Sequence, residues 1–244
     1  LLPPSLQAYL GTAFGPGGTG RFEYARERLR VLSANTPSDA IREYERMGDA
    51  AKRTDAERYG LAYAQLRANQ PAAAATVLNT LLQKNPGDVW ITLALAEAES
   101  KSGKAASADA RFEGLLRQTP HNRAVVLSYA DVLAERGNAA AGKRAQELLR
   151  PLLGSSANDA QFQSVFARAC DMAGDPVRAG EAYAEAAYLN GRPEQALVQL
   201  STLKRRPDLD YYARARIDAR IAAITPTVLE LKRQGIRDED LRRR

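Results

Sequence analysis

The stretch Tyr59–Asp88, YGLAYAQLRANQPAAAATVLNTLLQKNPGD, decides the fold. Tyr59, Leu61, Ala62 and Leu66 form an apolar stripe at helical spacing. Asn69-Gln70-Pro71 interrupts it, and a second stripe follows in Ala74, Val77, Leu78, Leu81 and Leu82. Asn85-Pro86-Gly87-Asp88 closes the unit: Pro disfavours helix at the residue before it, Gly relieves the turn, and Asp88 is placed to cap the next helix. Two such helices cannot bury both of their faces alone, so units of this kind must stack.

Shifting the sequence by 34 residues tests for a partner unit. Leu61-Ala62 falls on Leu95-Ala96, Asn69 on Gly103, Ala74 on Ala108, Leu78 on Phe112, Leu81-Leu82 on Leu115-Leu116, and Pro86 on Pro120. The alanines at these positions let two helix backbones approach. Leu78 and Phe112 fill the space beside them, each contributing about 2–3 kcal/mol when buried. A third unit repeats Ala130 and Gly137 at the same offset, but Ala145, Leu149, Leu152 and Leu153 come three residues late. The extra residues are expected in a turn at Asn138–Arg144, where an insertion costs little.

Ala167, Gly174, Ala179, Tyr183 and Ala186 give a fourth unit. Gly191, Ala196, Leu200 and Leu203 then read as another second helix, so Ala179–Asn190 serves two repeats at once. Toward the N-terminus, Ala40, Tyr44 and Met47 mark a weaker unit starting near Phe22. Tyr211 to Ile224 is a closing helix, and Pro226 is expected to break the chain after it. The expected fold is an all-α helix–turn–helix solenoid of about five pairs with atypical terminal helices. Residues 1–19 read as a linker, 20–224 as the solenoid, and 225–244 as a short helix or basic tail.

The period of 34, the paired helices, the small crossing residues, the Gly between helices and the Pro at the unit end resemble the tetratricopeptide repeat over residues 20–207. Two strings carry a narrower resemblance. Arg26-Glu27-Arg28-Leu29-Arg30-Val31-Leu32, with Asp39-Ala40-Ile41-Arg42-Glu43-Tyr44, looks like the start of the C-terminal repeat region of BepA-like periplasmic zinc metalloproteases. Asp210 to Ile221, DYYARARIDARI, looks like that family's closing helix. The resemblance implies a zincin peptidase upstream that holds zinc. It also implies a periplasmic location, and repeats that bind outer-membrane β-barrel proteins and their assembly machinery.

The residues themselves offer no catalytic set. A zincin needs two His one helical turn apart with a Glu between them, and this sequence has one histidine, His121, in a turn after Pro120. Gly15-Pro16-Gly17-Gly18-Thr19-Gly20 lacks the Lys-Ser/Thr ending of a phosphate-binding loop and reads as a flexible linker. Cys170 is the sole cysteine, so it makes no internal disulfide, and it reads as a small buried hydrophobe. No apolar run is long enough to cross a membrane. The opening Leu1-Leu2-Pro3-Pro4 lacks both an initiator Met and the basic region of a signal peptide, and reads as the start of a fragment or mature piece. The chain is therefore expected to have no enzyme activity, cofactor or small-molecule substrate of its own.

Binding is expected on the first helices, where positions one turn apart share a face. These are Tyr59, Tyr63 and Arg67; Trp90, Leu93, Glu97 and Lys101; Leu127, Asp131 and Glu135; and Ser164, Arg168 and Met172. Aromatic residues with Arg are common interface anchors. This mixed lining suits an extended or partly unfolded polypeptide, and it lacks the dense Lys/Asn set of a carboxylate clamp. The aromatic residues equally suit packing between units. The net charge is +6, and Ser201–Arg244 holds twelve Lys/Arg against seven Asp/Glu. Arg214, Arg216, Arg220, Lys232, Arg233, Arg237 and Arg242–Arg244 could meet phosphates in a salt-sensitive way. Aromatic interleaving stops at Tyr211 and Tyr212, so a solvated face is the simpler reading and nucleic acid is not expected as a partner.

Overall fold

The computed structural model describes residues 22–120 and 122–238. They form α1 (Phe22–Ser33), α2 (Pro37–Arg46), α3 (Asp55–Arg67), α4 (Pro71–Lys84), α5 (Val89–Lys101), α6 (Ala105–Gln118), α7 (Arg123–Glu135), α8 (Ala139–Leu149), α9 (Ala160–Met172), α10 (Pro176–Leu189), α11 (Pro193–Lys204) and α12 (Tyr211–Arg233). No strand occurs among the described residues. The fold is a tetratricopeptide-type helical solenoid in which consecutive helices pack in pairs. It divides into two compact units between Tyr129 and Ala130, within α7. His121, the Gly15–Gly20 stretch and Arg242–Arg244 lie outside the described residues.

In the first unit, α3 pairs with α4 and α5 with α6, while α4 packs on α5. Ala62, Ala74, Ala96, Ala108, Leu78 and Phe112 are all fully buried, as the offset of 34 requires. The helix starts are chemically fixed. Thr54 and Glu57 form a reciprocal capping box on α3, and the Asp88 carboxylate accepts from the Ile91 backbone N–H at 3.0 Å. Asn69 and Gly103, matched in the sequence, share the left-handed conformation that ends a first helix, with φ of 60° and 77°. Asn is among the few non-Gly residues that tolerate it.

In the second unit, α8 packs on α9, α9 on α10, α10 on α11 and α11 on α12. Helix α10 contacts both α9 and α11. Ile217, Ile224 and Val228 of α12 pack with Leu200 and Leu203 of α11.

Two local expectations are corrected. The three extra residues of the third unit are not in a turn: α8 begins at Ala139, with Asn138 capping Ala141, so they form an added first helical turn. Gly142 sits there because α8 and α9 touch; a Cβ on it would lie 2.6 Å from the Ala173 backbone nitrogen. Nor does Pro226 break the chain. Helix α12 runs through it for 23 residues. A mid-helix Pro costs about 3 kcal/mol, but Ile224 and Val228, on either side of it, are buried in the same apolar cluster and hold the helix together. The Thr225 hydroxyl donates to the Ile221 carbonyl at 2.7 Å beside the interruption.

Candidate functional site

Helix α1 turns Tyr24, Arg28 and Val31 to one side, and all three are buried. This spacing of four and three residues defines one helical face. The Arg28 guanidinium donates to the Glu97 carboxylate at 2.8 Å, to the Tyr59 hydroxyl at 3.4 Å and to the Ser128 hydroxyl at 3.5 Å. It lies 4.2 Å from the centre of the Tyr63 ring and 5.8 Å from that of Trp90. Tyr59 and Tyr63 stack in parallel, and Tyr24 packs on Tyr59 at 5.0 Å. Burial, opposed by the Arg28 charge, pushes the Tyr59 phenol well above its ordinary range, so it stays neutral. Beside this cluster, the buried Glu27 carboxylate accepts from the Tyr44 hydroxyl at 2.8 Å and pairs with Arg30.

The expected aromatic lining is thus brought together, but not as an open surface. Tyr59, Tyr63, Trp90 and Leu93 are each at most 4% exposed, and their exposure on a binding face is corrected. Ring faces and a carboxylate make a receptor for a planar cation, and α1 fills it from within the chain. Sequence reasoning missed Arg28 because an Arg in an Arg- and Glu-rich helix carries the pattern of a solvated face. Glu97 is mostly buried as its partner. Arg67, Lys101 and Glu135 remain exposed, as does Arg168, whose guanidinium pairs with Asp131 in the second unit. Leu127 is buried, and Ser164 and Met172 are half-buried.

In the second unit the arginines of α12 face carboxylates one helical turn apart. Arg216 holds Glu181 through two bonds of 2.9 and 3.1 Å, and Arg220 holds Glu185 through two of 2.7 and 2.8 Å. Arg220 also lies 4.5 Å from the centre of the Tyr188 ring. The Asp238 carboxylate accepts from the backbone N–H groups of Glu194 and Gln195 at the start of α11. These contacts engage much of the basic face that phosphates would need. Cys170 is buried, Gln146 donates to its sulfur at 3.3 Å, and burial pushes its thiol up to about 11.

No helix of the described residues is long and apolar enough to cross a membrane. No curated protein matches the chain. The tetratricopeptide repeat family model matches residues 65–117, from the end of α3 through α4 and α5 to the last turn of α6. Residues 65–117 are thus similar to the tetratricopeptide repeat, and the helix pairs of the described residues have that type of fold.

Proposed function

We propose that the chain is a polypeptide-binding scaffold, the non-catalytic, client-handling part of a periplasmic zinc metalloprotease that acts in outer-membrane protein assembly and quality control. The match of residues 65–117 to the tetratricopeptide repeat carries the scaffold reading, since stacked helix pairs serve mainly to present surface. The protease and periplasmic parts rest on the resemblance of Arg26–Leu32 and Asp210–Ile221 to BepA-like proteins. With one histidine in its sequence, the chain itself would hold no zinc and catalyse no hydrolysis. Zinc would belong to a peptidase domain upstream. Its clients would be outer-membrane β-barrel precursors or their assembly machinery.

The burial of Tyr63 and Trp90 moves the candidate contact positions to Arg67, Lys101 and Glu135, which are exposed. A photo-crosslinking amino acid at each of these, in cells of the native host, tests the reading. Crosslinks to β-barrel precursors, made in the periplasmic fraction, are the expected result. Crosslinks confined to cytoplasmic proteins, or a native gene with no paired-histidine segment upstream, would leave a free-standing adaptor in its place.

A further inference from the structure

Helix α1 is held in the first unit differently from the helices after it. Of its five buried residues, Glu27 and Arg28 are charged, whereas the buried residues of α3 and α5 include no charged side chain. It packs on α3 across α2, and it touches α2 more lightly than α4 touches α3 or α6 touches α5. Through Arg28 it meets Tyr59 of α3, Glu97 of α5 and Ser128 of α7. A side chain that reaches the first helices of three successive pairs lies across their shared face, not at the next place in the series.

That face runs on past α1. On α3, Tyr59 and Tyr63 are covered while Arg67 is exposed; on α5, Glu97 is mostly covered while Lys101 is exposed. A buried Tyr and a buried Arg set against polar partners are the make-up of an interface between molecules more than of a core. The place that Arg28 fills is also selective. The rings of Tyr63 and Trp90 and the Glu97 carboxylate suit a flat cation. A lysine ammonium is compact and cannot lie flat on a ring, and a neutral side chain gains nothing from the carboxylate.

We infer that α1 is a resident ligand: it occupies a site on α3, α5 and α7 that takes an arginine-bearing helix of a polypeptide partner, and such a partner enters by displacing it. The partner helix carries an aromatic residue four positions before its arginine, as Tyr24 stands before Arg28, so that one face presents both. Exchange of this kind rests on the scaffold reading, which makes the partner a polypeptide.

The test uses the full chain and a fluorescently labelled peptide of residues 22–33, FEYARERLRVLS, followed by anisotropy. Trp90 is the sole tryptophan, so its emission reports the site. In Arg28→Ala the chain's own α1 loses its anchor. Trp90 emission is expected to move to longer wavelength, and the peptide is expected to bind saturably and reverse that shift. The unaltered chain should bind it at least about tenfold more weakly, because its tethered α1 competes at high effective concentration. Citrulline at the peptide position of Arg28 keeps the plane and loses the charge; Lys there keeps the charge and loses the plane. Each should weaken binding by about tenfold or more. Citrulline at the position of Arg26, a side chain 55% exposed, should change little.

Hydrogen exchange reads the unaltered chain directly. Peptide at about ten times the dissociation constant found with Arg28→Ala should speed exchange of the Tyr24–Val31 amides by about tenfold, since it captures the open form. Amides of α3 and α5 should not change. Equal binding of the arginine and citrulline-28 peptides, α1 exchange unaltered by peptide, no saturable binding at millimolar peptide, or loss of helical circular dichroism in Arg28→Ala would each overturn the inference, the last because α1 would then belong to the core. Client crosslinking at Arg67, Lys101 and Glu135 reads the broader proposal separately, so either can fail alone.

Discussion

Each unit fastens a terminal helix with arginine, and the two do so in opposite ways. On α1, Arg28 is 4% exposed and reaches a carboxylate that is 13% exposed. On α12, Arg216 and Arg220 are 40% and 33% exposed. The first pair has given up its water and lies against two aromatic rings. The second keeps much of its water and has better geometry, with two bonds to each carboxylate. Geometry alone would rank the second stronger. Burial reverses the ranking for single deletions, because removing Arg28 strands Glu97 among buried groups, whereas Glu181 and Glu185, 19% and 21% exposed, regain water from the open side that their arginines occupy.

The largest effect should come from Arg28→Ala, which leaves Glu97 uncompensated and uncovers Tyr63 and Trp90. A loss of about 3–5 kcal/mol is expected from urea unfolding. Replacing both charges, Arg28→Met with Glu97→Leu, should restore most of it. A single variant costing less than about 1 kcal/mol would mean that the cage is solvated and would erase the contrast. Next in size is Arg220→Ala, expected to cost about 1 kcal/mol because its stacking on Tyr188 is lost along with a partly buried pair. Arg216→Ala should cost less still and fade in high salt. The smallest change is read at Cys170 in the same unit. At pH 8, with its thiol pushed up to about 11, its thiolate is scarcer than that of a free cysteine by about a hundredfold or more. Alkylation should therefore be slow in the folded protein, and Arg216→Ala should speed it no more than about fivefold. Rapid labelling of the unaltered protein would show the α9–α10 pair opening readily.

The repeat was legible because its determinants recur. Ala62 and Ala96, Leu78 and Phe112, Asn69 and Gly103 each meet the same demand twice, so the offset of 34 exposes them. Features that occur once were not. Arg28 has no counterpart at that offset, and its burial depends on five residues spread over α3, α5 and α7. Tyr63 and Trp90 stand where the helical wheel puts groove residues, but the Arg28 guanidinium of α1 lies over both rings. Pro226 obeyed the general rule for helix breakers until tertiary burial on both sides of it outweighed that rule.

The Arg28 cage also bears on how the chain acquires its structure. Nearly all packing here joins helices adjacent in sequence, a local topology that folds fast and in pieces. Helix α1 departs from this, since it packs on α3 across α2, and its Arg28 has partners 31, 69 and 100 residues downstream. During synthesis α1 leaves the ribosome before every other described helix, yet Ser128, the last of these partners, emerges long after it. At about 5–20 residues per second, α1 waits several seconds with a guanidinium it cannot yet place, and a chaperone has that interval in which to hold it.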